Sequence, residues 1–113
     1  MKIITEVNFT AVDKMNAVVS AMDIKEQAGN DLTVIGLMIY DSVDKATGEL
    51  KTVGTVKTDD GNIYGFTSAT MIECAEMLAT AFETGTSSAV IQVVTKQSNN
   101  KRTFYQFKVI SLN

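Results

Sequence analysis

A chain of 113 residues has room for one hydrophobic core, and 45% apolar content is too high for a disordered chain. Ten basic and thirteen acidic residues give a net charge of −3, with no histidine, no tryptophan and one cysteine, Cys74. These counts exclude an internal disulfide framework, and the lack of His removes the commonest general base and zinc ligand.

The longest apolar stretch, VIGLMIY at 34–40, falls well short of the about 20 residues that a membrane helix requires. The opening MKIITEVNF carries Glu6 where a signal peptide needs an unbroken apolar run. The expectation is a soluble intracellular protein of a reducing cytoplasm, with no membrane contact and no cofactor. Charge is unevenly spread: residues 1–83 hold six Lys and thirteen acids (−7), whereas residues 84–113 hold three Lys, one Arg and no acid (+4). An acidic total opposes long-range attraction of polyanions, yet a segregated basic segment can hold one locally.

The first thirty residues admit more than one reading. IITEVNF fits a strand. TAVDKMNAVVSAM sets Val12, Met15, Val19 and Met22 at helical spacing, although NAVVSA also fits an edge strand. DIKEQAG reads as one helical turn stopped by Gly29. This extension is expected to pack on the remainder of a single domain spanning 1–113, or to pair with one of its strands.

DLTVIGLMIYD (31–41) is rich in β-branched and aliphatic residues, as a buried strand is. A turn through Lys45–Gly48 leads to LKTVGTVKT (50–58), a second strand in which Gly54 suggests a bulge or bend. In TDDGNIYGF, Asp60-Gly61 predicts a type I′ hairpin turn, a role that accounts for Asp59 and Asp60 without metal or acid–base chemistry. The third strand follows, with Tyr64 and Phe66 on one face and Ile63 on the other.

Over residues 68–84 the period changes to that of a helix, with Met71, Cys74, Ala75, Leu78, Ala81 and Phe82 on one face. Ser68 or Thr70 can cap it, the latter in a capping box with Glu73, and Gly85 ends it. Cys74, on the apolar face with no flanking cation, is a core residue and not a reactive thiol. SSAVIQVVTKQ and KRTFYQFKVISL then form two strands around Asn99-Asn100. The resulting order over 31–112, β-β-β-α-β-β, is that of an OB-fold, a mainly β barrel with one principal helix between its third and fourth strands.

OB-folds commonly bind single-stranded nucleic acids across their second and third strands and adjoining loops. Several residues here have the matching chemistry: cations that neutralise phosphates and flat rings on which bases stack. Lys96, Lys101, Arg102 and Lys108 gather on the last hairpin beside Phe104 and Tyr105. Alternation gives Tyr105, Phe107 and Val109 one face and Phe104, Gln106 and Lys108 the other, with Phe107 in the core. Tyr64 and Phe66 on the third strand, Tyr40 at the end of the first, and Lys51 and Lys57 on the second complete the candidate set. For each ring the competing role is core packing, and for each lysine a solvated strand face.

The DDGNIYG turn and strand, the helix opened at Ser68 or Thr70, and the hairpin ending in KRTFYQFKVISL carry a resemblance. Over residues 53–112 the chain resembles the single-stranded DNA-binding proteins of small protein-primed tailed phages, the phi-29 type. The resemblance implies an OB-fold and aromatic DNA contacts at Tyr64, Phe104 and Tyr105. It also implies a role in coating displaced strands during phage DNA replication in a bacterial host, with self-association along the strand open and RNA not excluded. The competing expectation is a protein-interaction or virion-associated module with an OB-like barrel, for which the acidic helix face of Glu73, Glu76 and Glu83 would suit a partner. No sequence pattern supports an enzyme; GNIYG lacks both the Lys and the glycine spacing of a phosphate-binding loop.

Overall fold

The order predicted over 31–112 is the order observed. A computed structural model, describing all 113 residues, places β3 (Asp31–Val43), β4 (Leu50–Thr58), β5 (Ile63–Phe66), α2 (Ala69–Glu83), β6 (Ala89–Gln97) and β7 (Thr103–Leu112) in that sequence. Ahead of them lie β1 (Lys2–Val7), α1 (Ala11–Val19), the two-residue β2 (Met22–Asp23) and a 3-10 turn at Ile24–Gln27. The fold is mainly β, with a curled sheet and two helices.

The sheet runs β2-β5-β4-β3-β6-β7, and β1 pairs separately with β3. The long strand β3 is apolar from Val34 to Tyr40, where both of its faces are covered, and both of its edges are paired. Asp31–Val34 pairs with β6 and Leu37–Asp41 with β1, while β4 follows the opposite edge. No ladder joins β5 to β7. The sheet nevertheless curls round on itself, since Phe66 of β5 and Phe107 of β7 meet edge to face with centroids 5.0 Å apart. Ile24, fully buried, adds to the same core from the 3-10 turn. Side chains, not backbone hydrogen bonds, close that seam.

The concave side holds the main core. From α2 it receives Met71, Ile72, Ala75, Leu78, Ala79 and Phe82, all buried. Burial of each of the larger ones contributes about 1.5–3 kcal/mol. Ser68 occupies the N-cap position but makes no side-chain cap, so the predicted capping box at Thr70 is not formed. The other end is as expected. Gly85 (φ +112°) donates its N–H to Phe82 O, and Thr86 donates to Ala81 O, a Schellman stop.

The convex side of β3, β4 and β5 is covered too, by α1. Thr10 and Asp13 form a capping box there, and Ala17 settles against Met38, Tyr40 and Ile63. The early segment therefore both pairs and packs: IITEVNF is strand β1, and NAVVSA lies mostly within α1 instead of forming an edge strand.

Two local expectations are corrected. Gly54 is not a bulge, because the irregularity in the β3–β4 ladder falls between Val34 and Gly36. Gly54 instead seats the Phe66 ring, whose edge would collide with a Cβ at that position. The Asp60-Gly61 turn is not type I′, since Gly61 alone has positive φ (+88°). Gly61 donates to Thr58 O and Thr58 to Asn62 O, which makes a three-residue loop with glycine in its left-handed position. Asp60 accepts from the Thr58 hydroxyl and from Asn62 N, and these hydrogen bonds hold its carboxyl below the usual range. The side chain is committed to the turn.

Candidate nucleic-acid interface

Strands β6 and β7 pair in unbroken register from Ile91 opposite Val109 to Gln97 opposite Thr103. Val93 and Phe107, a cross-strand pair, point inward and are buried. Alternation therefore sends Gln92, Val94 and Lys96 outward with their partners Lys108, Gln106 and Phe104. Phe104 stands directly across from Lys96, its ring half-exposed beside an exposed ammonium.

The loop beyond them repeats the geometry of the 58–62 turn. Ser98 N donates to Arg102 O and Lys101 N to Ser98 O, both at 2.9 Å. Here the left-handed position, φ +59°, is taken by Lys101 and not by glycine. A side chain in that conformation costs about 1 kcal/mol, and it fixes Lys101 and Arg102, both exposed, at the hairpin tip. None of Lys96, Lys101, Arg102 and Lys108 is engaged by a carboxylate; the two ion pairs of the molecule are Lys14–Glu6 and Lys57–Asp13. Asp31, aligned with Gln92 and Lys108 across three strands, tempers the base of the face from roughly 10 Å away. The tip carries only positive charge.

Tyr105 lies on the opposite face from Phe104, at the rim of the core, half-buried. Lys25 Nζ sits 5.3 Å from its ring centroid, a cation–π contact. Lys25, from the 3-10 turn, thus lies on the core side of the hairpin and not on the face that carries Lys96 and Phe104. Eighty residues of chain separate it from Tyr105, and nothing in its local sequence signals the meeting.

The remaining candidates are placed elsewhere. Tyr64 and Phe66, each 5% exposed, belong to the main core. Tyr40, also 5% exposed, lies beneath α1, where burial pushes its phenol pKa up. At 5% exposure none of these rings presents a stacking face, although Tyr40 and Phe66 line a cavity of about 340 Å³ beside α1. Lys57 is committed as well: its Nζ donates to Asp13 Oδ2 at 2.6 Å and Asn8 O at 2.8 Å, clasping α1 to the sheet. Lys51 is exposed but opens on a cavity of about 530 Å³ that Glu73 and Glu76 also line, so its surroundings are not basic. Cys74 is half-buried, and burial raises its thiol pKa, as suits a packing residue.

The chain matches no family model, no curated protein and no solved structure. No group of three or more His, Cys, Asp or Glu is placed to hold a metal ion, and no helix is long and apolar enough to cross a membrane. What the hairpin brings together is six of the eleven predicted residues: Lys96, Lys101, Arg102, Phe104, Tyr105 and Lys108. Cations and flat rings together equip a surface to hold a ligand that carries negative charge and flat groups.

Proposed function

We propose that this protein binds single-stranded nucleic acid, without regard to sequence, along the outward face and tip of the β6–β7 hairpin. The observation that carries the reading is the cross-strand pair of Lys96 and Phe104 next to the unpaired Lys101 and Arg102. A base stacks on the Phe104 ring while the neighbouring ammonium and guanidinium groups neutralise the flanking phosphates. Tyr105 with Lys25 extends the track over the hairpin edge. The buried Tyr40, Tyr64 and Phe66 take no part, so the stacking contribution comes from one or two rings, at about 1–3 kcal/mol each. Duplex DNA, whose bases are already stacked, offers these rings nothing.

The strand order β5-β4-β3-β6-β7 with α2 between β5 and β6 supports an OB-fold reading of the curled sheet. With the resemblance over 53–112, it also supports a role in coating displaced strands during phage replication in a bacterial cytoplasm.

Anisotropy of a labelled oligo(dT), titrated at several salt concentrations, tests the proposal. About four phosphate contacts predict a slope of log K against log salt near −3. Phe104→Ala is expected to weaken binding about tenfold or more with the slope retained. Arg102→Ala is expected to bring the slope about 0.7 closer to zero. Absence of binding at low salt, or equal binding of duplex, overturns the reading.

A further inference from the structure

Helix α1 lies on the sheet the wrong way round for an ordinary amphipathic helix. Its one buried residue is Ala17, and the flanking Asp13 and Lys14 are half-buried. The apolar stripe points away: Val12, Met15 and Val19, spaced three and four apart, are 64, 68 and 82% exposed. Val18 and Met22 widen the stripe, and Met1, Met15, Val18 and Val19 line an entirely apolar groove of about 320 Å³ with the stem of Lys14. Over side chains of ordinary size these exposures amount to roughly 600 Å² of apolar surface, the upper end of what a monomer shows to water.

We infer that this stripe is the interface of a two-fold symmetric dimer, α1 packing against α1 of a second copy. Two observations select that occupant. First, the stripe offers a partner little net charge. Lys14 is held by Glu6 at 2.7 Å and Asp13 by Lys57 at 2.6 Å, and Asp23 and Lys25, of opposite sign, offset each other beside Val18, Val19 and Met22, so the rim does not select a polyanion, an anionic lipid surface or a charged protein. Second, the area suffices for self-association: the same patch on two copies buries about 1,200 Å², the lower bound of a standard interface. Valine and methionine beside an apolar groove supply both the knobs and the recess that a self-complementary contact needs. Because α1 lies on the outer face of β3–β5, dimerisation leaves the β6–β7 hairpin of each copy free.

Sedimentation velocity on nucleic-acid-free protein tests this independently of any ligand. Between about 1 and 100 µM, where a contact of this size dissociates, the wild type is expected to pass from monomer to dimer and stop there. Met15→Asp and Val19→Asp, at exposed positions where the circular dichroism is expected not to change, are expected to stay monomeric. Met77→Asp, equally exposed but on α2, is expected to dimerise as the wild type does. A wild type monomeric throughout, growth beyond a dimer, or dimerisation that survives Val19→Asp each overturns the inference. So does a monomer that instead co-sediments with neutral phosphatidylcholine vesicles, which would give the stripe to lipid.

Discussion

The two helices obey opposite rules. Helix α2 turns Met71, Ile72, Ala75, Leu78, Ala79 and Phe82 into the concave core and leaves Glu73, Glu76 and Met77 outside. Helix α1 buries only Ala17 and holds its valines and methionines out. One is fastened by apolar burial. The other is fastened by a cap, an ion pair and one lysine reaching a backbone carbonyl. A helical period says which residues share a face, but not whether the same chain provides something to cover it.

The sharpest break of that contrast is a pair of truncations. Leu78→Ala is expected to cost about 2–5 kcal/mol in a urea titration, whereas Met15→Ala is expected to change stability by no more than about 0.5 kcal/mol in the dilute monomer. If both cost the same, α1 is not held as described. Next in size, Lys57→Met is expected to cost about 1–2 kcal/mol, because it leaves the Asp13 carboxylate without its main partner. A third prediction concerns acid. The hydrogen bonds from Lys57 and from Thr10 N–H hold the Asp13 carboxyl below the usual range. Its contribution is therefore complete above the pKa of an unfolded aspartate and is lost as pH falls through the lower folded value. Asp13→Asn is expected to flatten the acid side of the stability profile, measured by urea midpoint against pH.

The smallest effect distinguishes the two hairpins that share one loop geometry. Gly61 suits its left-handed position and Lys101 does not. Lys101→Gly is expected to raise stability by about 1 kcal/mol. The same change is expected to bring the salt slope of oligo(dT) binding about 0.7 closer to zero. Stability gained with an unchanged slope would remove Lys101 from the interface.

These contrasts also show where sequence reading succeeds. The strands from β3 to β7 and α2 were legible because runs such as DLTVIGLMIY and the Met71–Phe82 period each specify one backbone state. The β6–β7 faces were legible because Phe104 alternates with polar residues and Phe107 does not. Tyr64 and Phe66 were not, since alternation assigns them to one face but cannot say that α2 lies against it. The burial of Tyr40 is illegible for a related reason: its cover, α1, comes from a segment whose own apolar residues face the other way. The Lys57–Asp13 clasp and the Lys25–Tyr105 contact join residues 44 and 80 positions apart, beyond any local pattern.

The side-chain seam between β5 and β7 has a further consequence. Only four residues of β3 hold β6, and the outer edge of β7 lacks a strand neighbour. Beyond that short ladder the root of the hairpin is held by Ile91, Val93 and Phe107 in the main core and by Gly29 N–H donating to Val93 O. The tip beyond them can fray without dissolving any other ladder. Its amides are expected to be the first of the sheet to exchange with deuterium, well before those at the β3–β4 centre.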